Sequence, residues 1–159
     1  MASTSTSPIS TPFPRNVRLS VDWQSNYLLN FLVDEEGTST QYAGYFASLV
    51  NVGSYARFKS LLATTVTTDH WTFGWRVRYI GGAAVLGQNA SVTPFASALP
   101  IWHHDLVVSY RTGRMTYTLG ADNVADQKPP TLLDGQSNTD LNTYDIDGTF
   151  VYLRIAAAL

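Results

Sequence analysis

From Val17 onward, apolar and polar residues alternate with a period of two, and no stretch carries a sustained 3.6-residue apolar stripe. Such alternation predicts strands with one apolar and one polar face. Val17, Leu19, Val21, Trp23, Tyr27, Leu29 and Phe31 share one face of the first, against Arg18, Ser20, Asp22, Gln24, Asn26 and Asn30. A weaker second strand sets Phe58, Leu62 and Val66 against Arg57, Lys59, Ala63 and Thr65. The third places Trp71, Phe73, Trp75, Val77 and Tyr79 opposite Thr72, Gly74, Arg76 and Arg78. A fourth runs from about His104 to Arg111, with Leu106, Val108 and Tyr110 on its apolar side. The fifth sets Met115, Tyr117, Leu119 and Ala121 against Thr116, Thr118, Gly120 and Asp122. The last, from about Thr149 to Leu159, carries Val151, Leu153, Ile155, Ala157 and Leu159 on one face.

The links between these strands alternate in length. Thr68-Asp69-His70 and the Gly-containing Thr112-Gly113-Arg114 are tight turns. The other three links, Asp34 to Ala56, Gly82 to His103 and Val124 to Gly148, are long. Short turns at one end and long loops at the other predict an all-β, antiparallel up-and-down meander of about six strands, the organisation of an outer-membrane barrel. A strand of about ten residues rises about 33 Å, and a tilt near 45° reduces this to about 24 Å across a bilayer. Trp71 and Tyr79 bracket the third strand. Tyr and Trp favour the two membrane interfaces, where an apolar ring meets a wet edge. The same alternation also fits the core of a soluble β-sandwich.

Composition narrows the classes. Charged residues make up 14% of the chain and aromatics 13%, against roughly 25% charged in a typical soluble domain. The polar positions are therefore mostly uncharged. A net charge of −2 provides no basic field for nucleic acid. Without cysteine there is no disulfide, no thiolate metal site and no cysteine nucleophile. No apolar run approaches the roughly 20 residues of a transmembrane helix, so membrane contact would be made through strands. Residues 1–16 read as a flexible Ser/Thr/Pro-rich lead-in with neither a basic n-region nor an apolar h-region. The expectation is a signal peptide already removed, or a chain that begins partway through a longer gene.

Four segments in the later part of the chain carry a resemblance. Trp75-Arg76-Val77-Arg78-Tyr79-Ile80-Gly81 is similar to an "xxRYIG" strand end, and Trp102-His103-His104-Asp105-Leu106-Val107-Val108-Ser109-Tyr110 to the entry into a late barrel strand. The run from Thr118 to Pro130, with Gly120, Asn123, Asp126, Lys128, Pro129 and Pro130, resembles a "GxxNLFDKxPP" signature. Asn138 to Thr149, with Tyr144, Asp145 and Gly148, is similar to an "N…YDxxGR" approach to a final strand. In this order and spacing they resemble the C-terminal end of the barrel of TonB-dependent outer-membrane receptors, over about Arg57 to Leu159. Two positions depart from the family pattern: Thr149 stands where Arg is frequent, and the chain ends in Leu159 rather than an aromatic.

The resemblance implies a segment of a barrel of 22 strands. Residues 17–159 would be a partial barrel domain with the plug domain absent, since six strands cannot close such a barrel. It implies a place in the outer membrane of a Gram-negative bacterium. The partners would be membrane lipid, the missing plug and strands, and the TonB complex acting through the missing N-terminal part. The activity implied is energy-coupled uptake of a scarce nutrient such as a ferric siderophore, cobalamin or an oligosaccharide, without enzymatic activity or cofactor. Arg18, Asp22, Arg76, Arg78 and Arg111 would face the lumen, against the plug or the substrate route. Gly120 and Asn123 would serve a bend at the outer rim through unusual φ. Pro129 and Pro130 would stiffen the loop that follows. Tyr144 would anchor the loop's return at the interface. The alternatives are a soluble carbohydrate-binding module and a small self-contained outer-membrane barrel.

Other candidate chemistry is thin. In His103-His104-Asp105 only His103 and Asp105 can share a face, and two ligands do not make a metal site. Asp134, Asp140, Asp145 and Asp147 form an acidic loop without EF-hand spacing. Asp34-Glu35-Glu36-Gly37 reads as a loop tip, and Asn89-Ala90-Ser91 matches a glycosylation pattern without consequence in a bacterial protein. Neither a phosphate-binding glycine loop nor a G-x-S-x-G nucleophile motif occurs.

Overall fold

The structure is a computed structural model and describes residues 2–5, 9–13, 16–47, 53–132, 138–141 and 143–158. Asp134 and Leu159 lie outside the described residues. In chain order the strands are β1 (Ala2–Ser5), β2 (Ile9–Phe13), β3 (Val17–Tyr27), β4 (Leu32–Glu35), β5 (Thr38–Gln41), β6 (Tyr45–Ala47), β7 (Gly53–Ser54), β8 (Phe58–Thr67), β9 (Trp71–Ile80), β10 (Ala83–Val85), β11 (Ser97–Ala98), β12 (Ile101–Thr112), β13 (Met115–Asp122) and β14 (Phe150–Ala157). The described residues contain no helix.

The six strands expected from alternation are β3, β8, β9, β12, β13 and β14, and they pair as an antiparallel meander in that order. The first is shorter than its apolar pattern. The Leu28 N–H still donates to the Arg57 carbonyl at 2.8 Å, but beyond it the backbone leaves the ladder: Arg57 Nη1 donates to the Leu29 carbonyl at 2.7 Å and the Phe31 N–H donates to Gln41 Oε1 at 2.8 Å. Phe31 then packs on Tyr55, with ring centroids 4.5 Å apart.

Two features of the sheet lie beyond the alternation pattern. The Ser/Thr/Pro-rich segment read as a flexible lead-in contributes β1 and β2, both antiparallel to β3. Their backbones occupy the outer edge of β3 and satisfy its ladder, a role that needs no apolar face. The sheet is open, with β1 and β2 at one edge and β14 at the other. The long links also hold strands of their own. β4 and β5 form a hairpin turned at Glu36 and Gly37, both at positive φ. β6, β7, β10 and β11 form a four-stranded sheet.

The buried apolar cluster is built mostly from these loops, at the loop end of the large sheet. Phe46, Val85, Ala96, Ile101, Leu132 and Tyr144 are among the residues that bury one another at the loop end. Phe46 is 2% exposed and lies against Tyr144 with centroids 5.7 Å apart. Tyr144 is therefore a core residue of the loop cap, not an interface anchor. Burial, and then the negative charge of Asp140, push its phenol well above the usual tyrosine range. Gly81 marks where this cap meets the sheet. Its N–H donates to the Phe58 carbonyl at 2.8 Å, and a Cβ there would lie 2.9 Å from that same oxygen.

Candidate functional site

Pairing register divides the large sheet into two faces of opposite character. On one, Trp23, Leu62, Val77 and His104 lie in one cross-strand row, and Thr64, Trp75, Leu106, Ala121 and Val151 in the next. This face is apolar and open: Trp75 is 43% exposed, Leu106 47% and Leu153 68%. Aromatic rings gather at its two ends. Towards the loops, Tyr27, Phe58, Tyr79 and Trp102 form a row in which successive centroids are 6.4, 5.6 and 4.5 Å apart. Towards the turns, Trp71 packs on Tyr110 at 4.6 Å and on Phe73 at 5.9 Å. Leu106 lies midway along β12 between Trp102 and Tyr110, and an apolar groove of about 450 Å³ crosses the face at its level, between Trp75 and Val151.

The opposite face carries the charges. Arg18, Asp22, Arg76 and Arg78 fall on it by register, as does Arg111. The structure brings Arg76 and Arg78 together near the loop end and leaves Arg18 and Arg111 nearer the turn end, outside this cluster. Asp105 is the buried member at 5% exposure. Its Oδ2 accepts from Arg76 Nε at 2.8 Å, with Arg78 Nε 3.6 Å away. Its Oδ1 accepts the Asn123 backbone N–H at 2.9 Å. A second carboxylate, Asp122, lies 3.7 Å from Arg76 Nη2. Arg78 Nη1 in turn donates to Asp145 Oδ2 at 2.6 Å, which ties the returning loop to the sheet. That pair is partly solvated, so Asp145→Asn is expected to cost at most about 1 kcal/mol. The cost should shrink in high salt, read as the urea midpoint at two ionic strengths.

His103 and Asp105 do share a face, as strand geometry requires, while His104 points to the other and stacks on Trp75 at 5.9 Å with 6° between the planes. His103 is 1% exposed, and neither ring nitrogen has a partner at hydrogen-bond geometry. Among the described residues no three His, Cys, Asp or Glu side chains come together as a metal site.

The turn after β13 is organised by Asn123, at 4% exposure and φ 51°. Its Oδ1 accepts the Gln127 N–H at 2.8 Å, and its Nδ2 donates to the carbonyls of Gln127 at 3.0 Å and Asp147 at 3.3 Å. Thr149 Oγ1 donates to the Asn123 carbonyl at 2.8 Å. Asn tolerates left-handed φ, and its amide bonds to nearby backbone. One side chain thus joins the end of β13, the turn and the return into β14. Asp126, at φ 48°, braces the same turn by accepting from Lys128 Nζ at 2.9 Å and from the Thr149 N–H at 3.3 Å. The lysine hydrogen bond holds the Asp126 carboxyl below its usual range. Gly120 serves differently from the sequence expectation. Its φ is not positive; a Cβ there would overlap the Tyr152 ring, which lies across it from β14.

Two adjoining cavities open on this face. One of about 360 Å³ is bounded by Arg76, Arg78, Asp122, Asp145, Asp147 and Phe150. The other, of about 210 Å³, shares Arg76 and Asp122 and is bounded by Tyr152, Asp105 and the small residues Ala63 and Gly74. Phe150 and Tyr152 were not singled out from the sequence. The signal was present, because both lie out of phase with Val151 and Leu153, placing two aromatic rings on the polar face. No family model, curated protein or solved structure matches the chain.

Proposed function

We propose that the chain is the C-terminal sector of the barrel of a TonB-dependent outer-membrane receptor. In the complete receptor it forms part of the wall through which a scarce nutrient, such as a ferric siderophore, cobalamin or an oligosaccharide, is taken up. The observation that carries the membrane reading is the open apolar face bounded by two aromatic rows, opposite a face of paired charges. From Trp71 to Tyr79 the strand rises about 27 Å, or about 19 Å along the membrane normal at a 45° tilt. A soluble sandwich needs a second layer over its apolar face. Among the described residues that face stays open. Supporting the receptor reading is the Gly120-to-Pro130 segment, whose Asn123, Asp126 and Lys128 each have a structural task in returning the loop to β14.

In this reading the acyl chains of lipid cover Trp75, Leu106 and Leu153. The remaining strands pair with the two open edges, the plug lies against the charged face, and the TonB complex acts through the plug-bearing part. The test is solubility and fold together. Far-UV circular dichroism should show β-structure only in detergent micelles or vesicles, and the chain should stay with outer membranes after an alkaline carbonate wash. A folded monomer in plain buffer would overturn the membrane reading. A heat-modifiable closed monomer of this chain would overturn the sector reading in favour of a small barrel.

A further inference from the structure

We infer that the paired cavities beside β14 bind two consecutive rings of a neutral, linear saccharide. The inference rests on the reading of the polar face as a channel wall and names the ligand class for that wall.

Charge is the first argument. Around the two cavities stand two guanidiniums, Arg76 and Arg78, and four carboxylates, Asp105, Asp122, Asp145 and Asp147. Asp105 engages Arg76, and Asp145 engages Arg78. Among the residues that line the cavities no cation is left uncompensated to meet an anionic ligand, and the surplus of carboxylates repels one. A neutral ligand with many hydroxyls suits such a wall. Carboxylates accept from hydroxyls, while the spare N–H groups of the guanidiniums donate to them.

Shape is the second. On the polar face, Phe150 bounds the larger cavity and Tyr152 the smaller, and Arg76 with Asp122 stands at their boundary. The two rings are 6.2 Å apart with 27° between their planes. That spacing and near-parallel setting match consecutive rings of a linear oligosaccharide lying across two aromatic faces. Phe150 is 60% exposed beside the charged cluster, and its one ring contact is with Tyr152. An apolar face for C–H groups beside a few convergent polar groups is the composition of a ligand site. Tyr152 also covers Gly120, so Phe150 is the residue whose removal tests binding without disturbing the sheet.

The test uses the 159-residue chain in detergent micelles, with folding checked by circular dichroism. Maltohexaose, cellohexaose, xylohexaose and mannohexaose are each presented in ligand-observed NMR. At least one should receive saturation from the protein. Its binding should weaken tenfold or more in Phe150→Ala and return in Phe150→Trp. Competition by an excess of an anionic ferric tris-catecholate should leave the signal unchanged. Absence of binding by all four sugars overturns the inference, as does binding indifferent to Phe150→Ala or displaced by the ferric complex. Saccharide binding by a chain that folds without detergent would uphold the sugar site and remove the channel wall.

Discussion

Leu106→Arg is expected to block stable insertion of the chain, while Thr65→Arg at nearly the same depth leaves insertion close to that of the parent. Leu106 is on the open apolar face, paired with Trp75 and Ala121, and stands midway between Trp102 and Tyr110. In the proposed orientation that is the centre of the bilayer. An arginine facing lipid there costs about 2–4 kcal/mol, and the cost falls towards zero near the interfaces. Thr65 pairs with Ser20 and Gly74 on the opposite face, where the neighbouring row holds Arg76 and Asp105. A new guanidinium on that side stays in water. The two variants have equal net charge, so a difference in urea midpoint in vesicles reports which face meets lipid. Equal loss in both, or loss only in Thr65→Arg, sinks the assignment of faces.

Asn123→Ala is expected to release the loop between β13 and β14 at a cost of about 3 kcal/mol. Two effects combine. Removing the amide leaves the half-buried Gln127 N–H and carbonyl without their side-chain partner, and losing these two part-solvated hydrogen bonds costs about 1–2 kcal/mol together. Alanine also pays about 1–2 kcal/mol to hold a left-handed conformation that asparagine adopts more readily, and φ here is 51°. Asn123→Gly removes the second effect but not the first, so it should recover about 1 kcal/mol. Hydrogen exchange at Gln127 and protease cleavage between residues 124 and 149 provide the measurements. Alanine and glycine variants both indistinguishable from the parent would show that the network around Asn123 does not hold the loop.

Much of the sheet was legible because a strand with unlike faces writes itself as a period of two. β9 and β12 follow that rule almost residue by residue, so their faces and the tight turns at Thr68 and Gly113 could be read directly. The arginines' shared face followed from the same parity. The parts that escaped are those where alternation carries no information. β1 and β2 hold β3 by backbone pairing, which requires no alternation of side chains. The strands inside the long links are two to four residues each, too short to establish a period. Asp105 and Asp122 were visible as polar positions, but their contact with Arg76 depends on cross-strand register.

Gly120, Asn123 and Tyr144 show three degrees of legibility. Asn123 was expected at a bend with unusual φ and is found there, although the hydrogen bonds to Gln127 and Asp147 depend on how the loop returns. Gly120 was expected for its backbone freedom and is required for space, because the ring over it comes from a strand 32 positions later. Tyr144 was expected at a wet interface and is buried against Phe46, nearly a hundred positions earlier.

The sequence by itself determined the strand period, the two faces and the alternation of short and long links, since these depend on side chains within a few residues of one another. Tertiary structure alone decided where the buried core lies, which carboxylate meets which arginine and which aromatics share a cavity. Each of these joins residues far apart in the chain, and only the register of neighbouring strands and the folding-back of the loops bring them within a few ångströms.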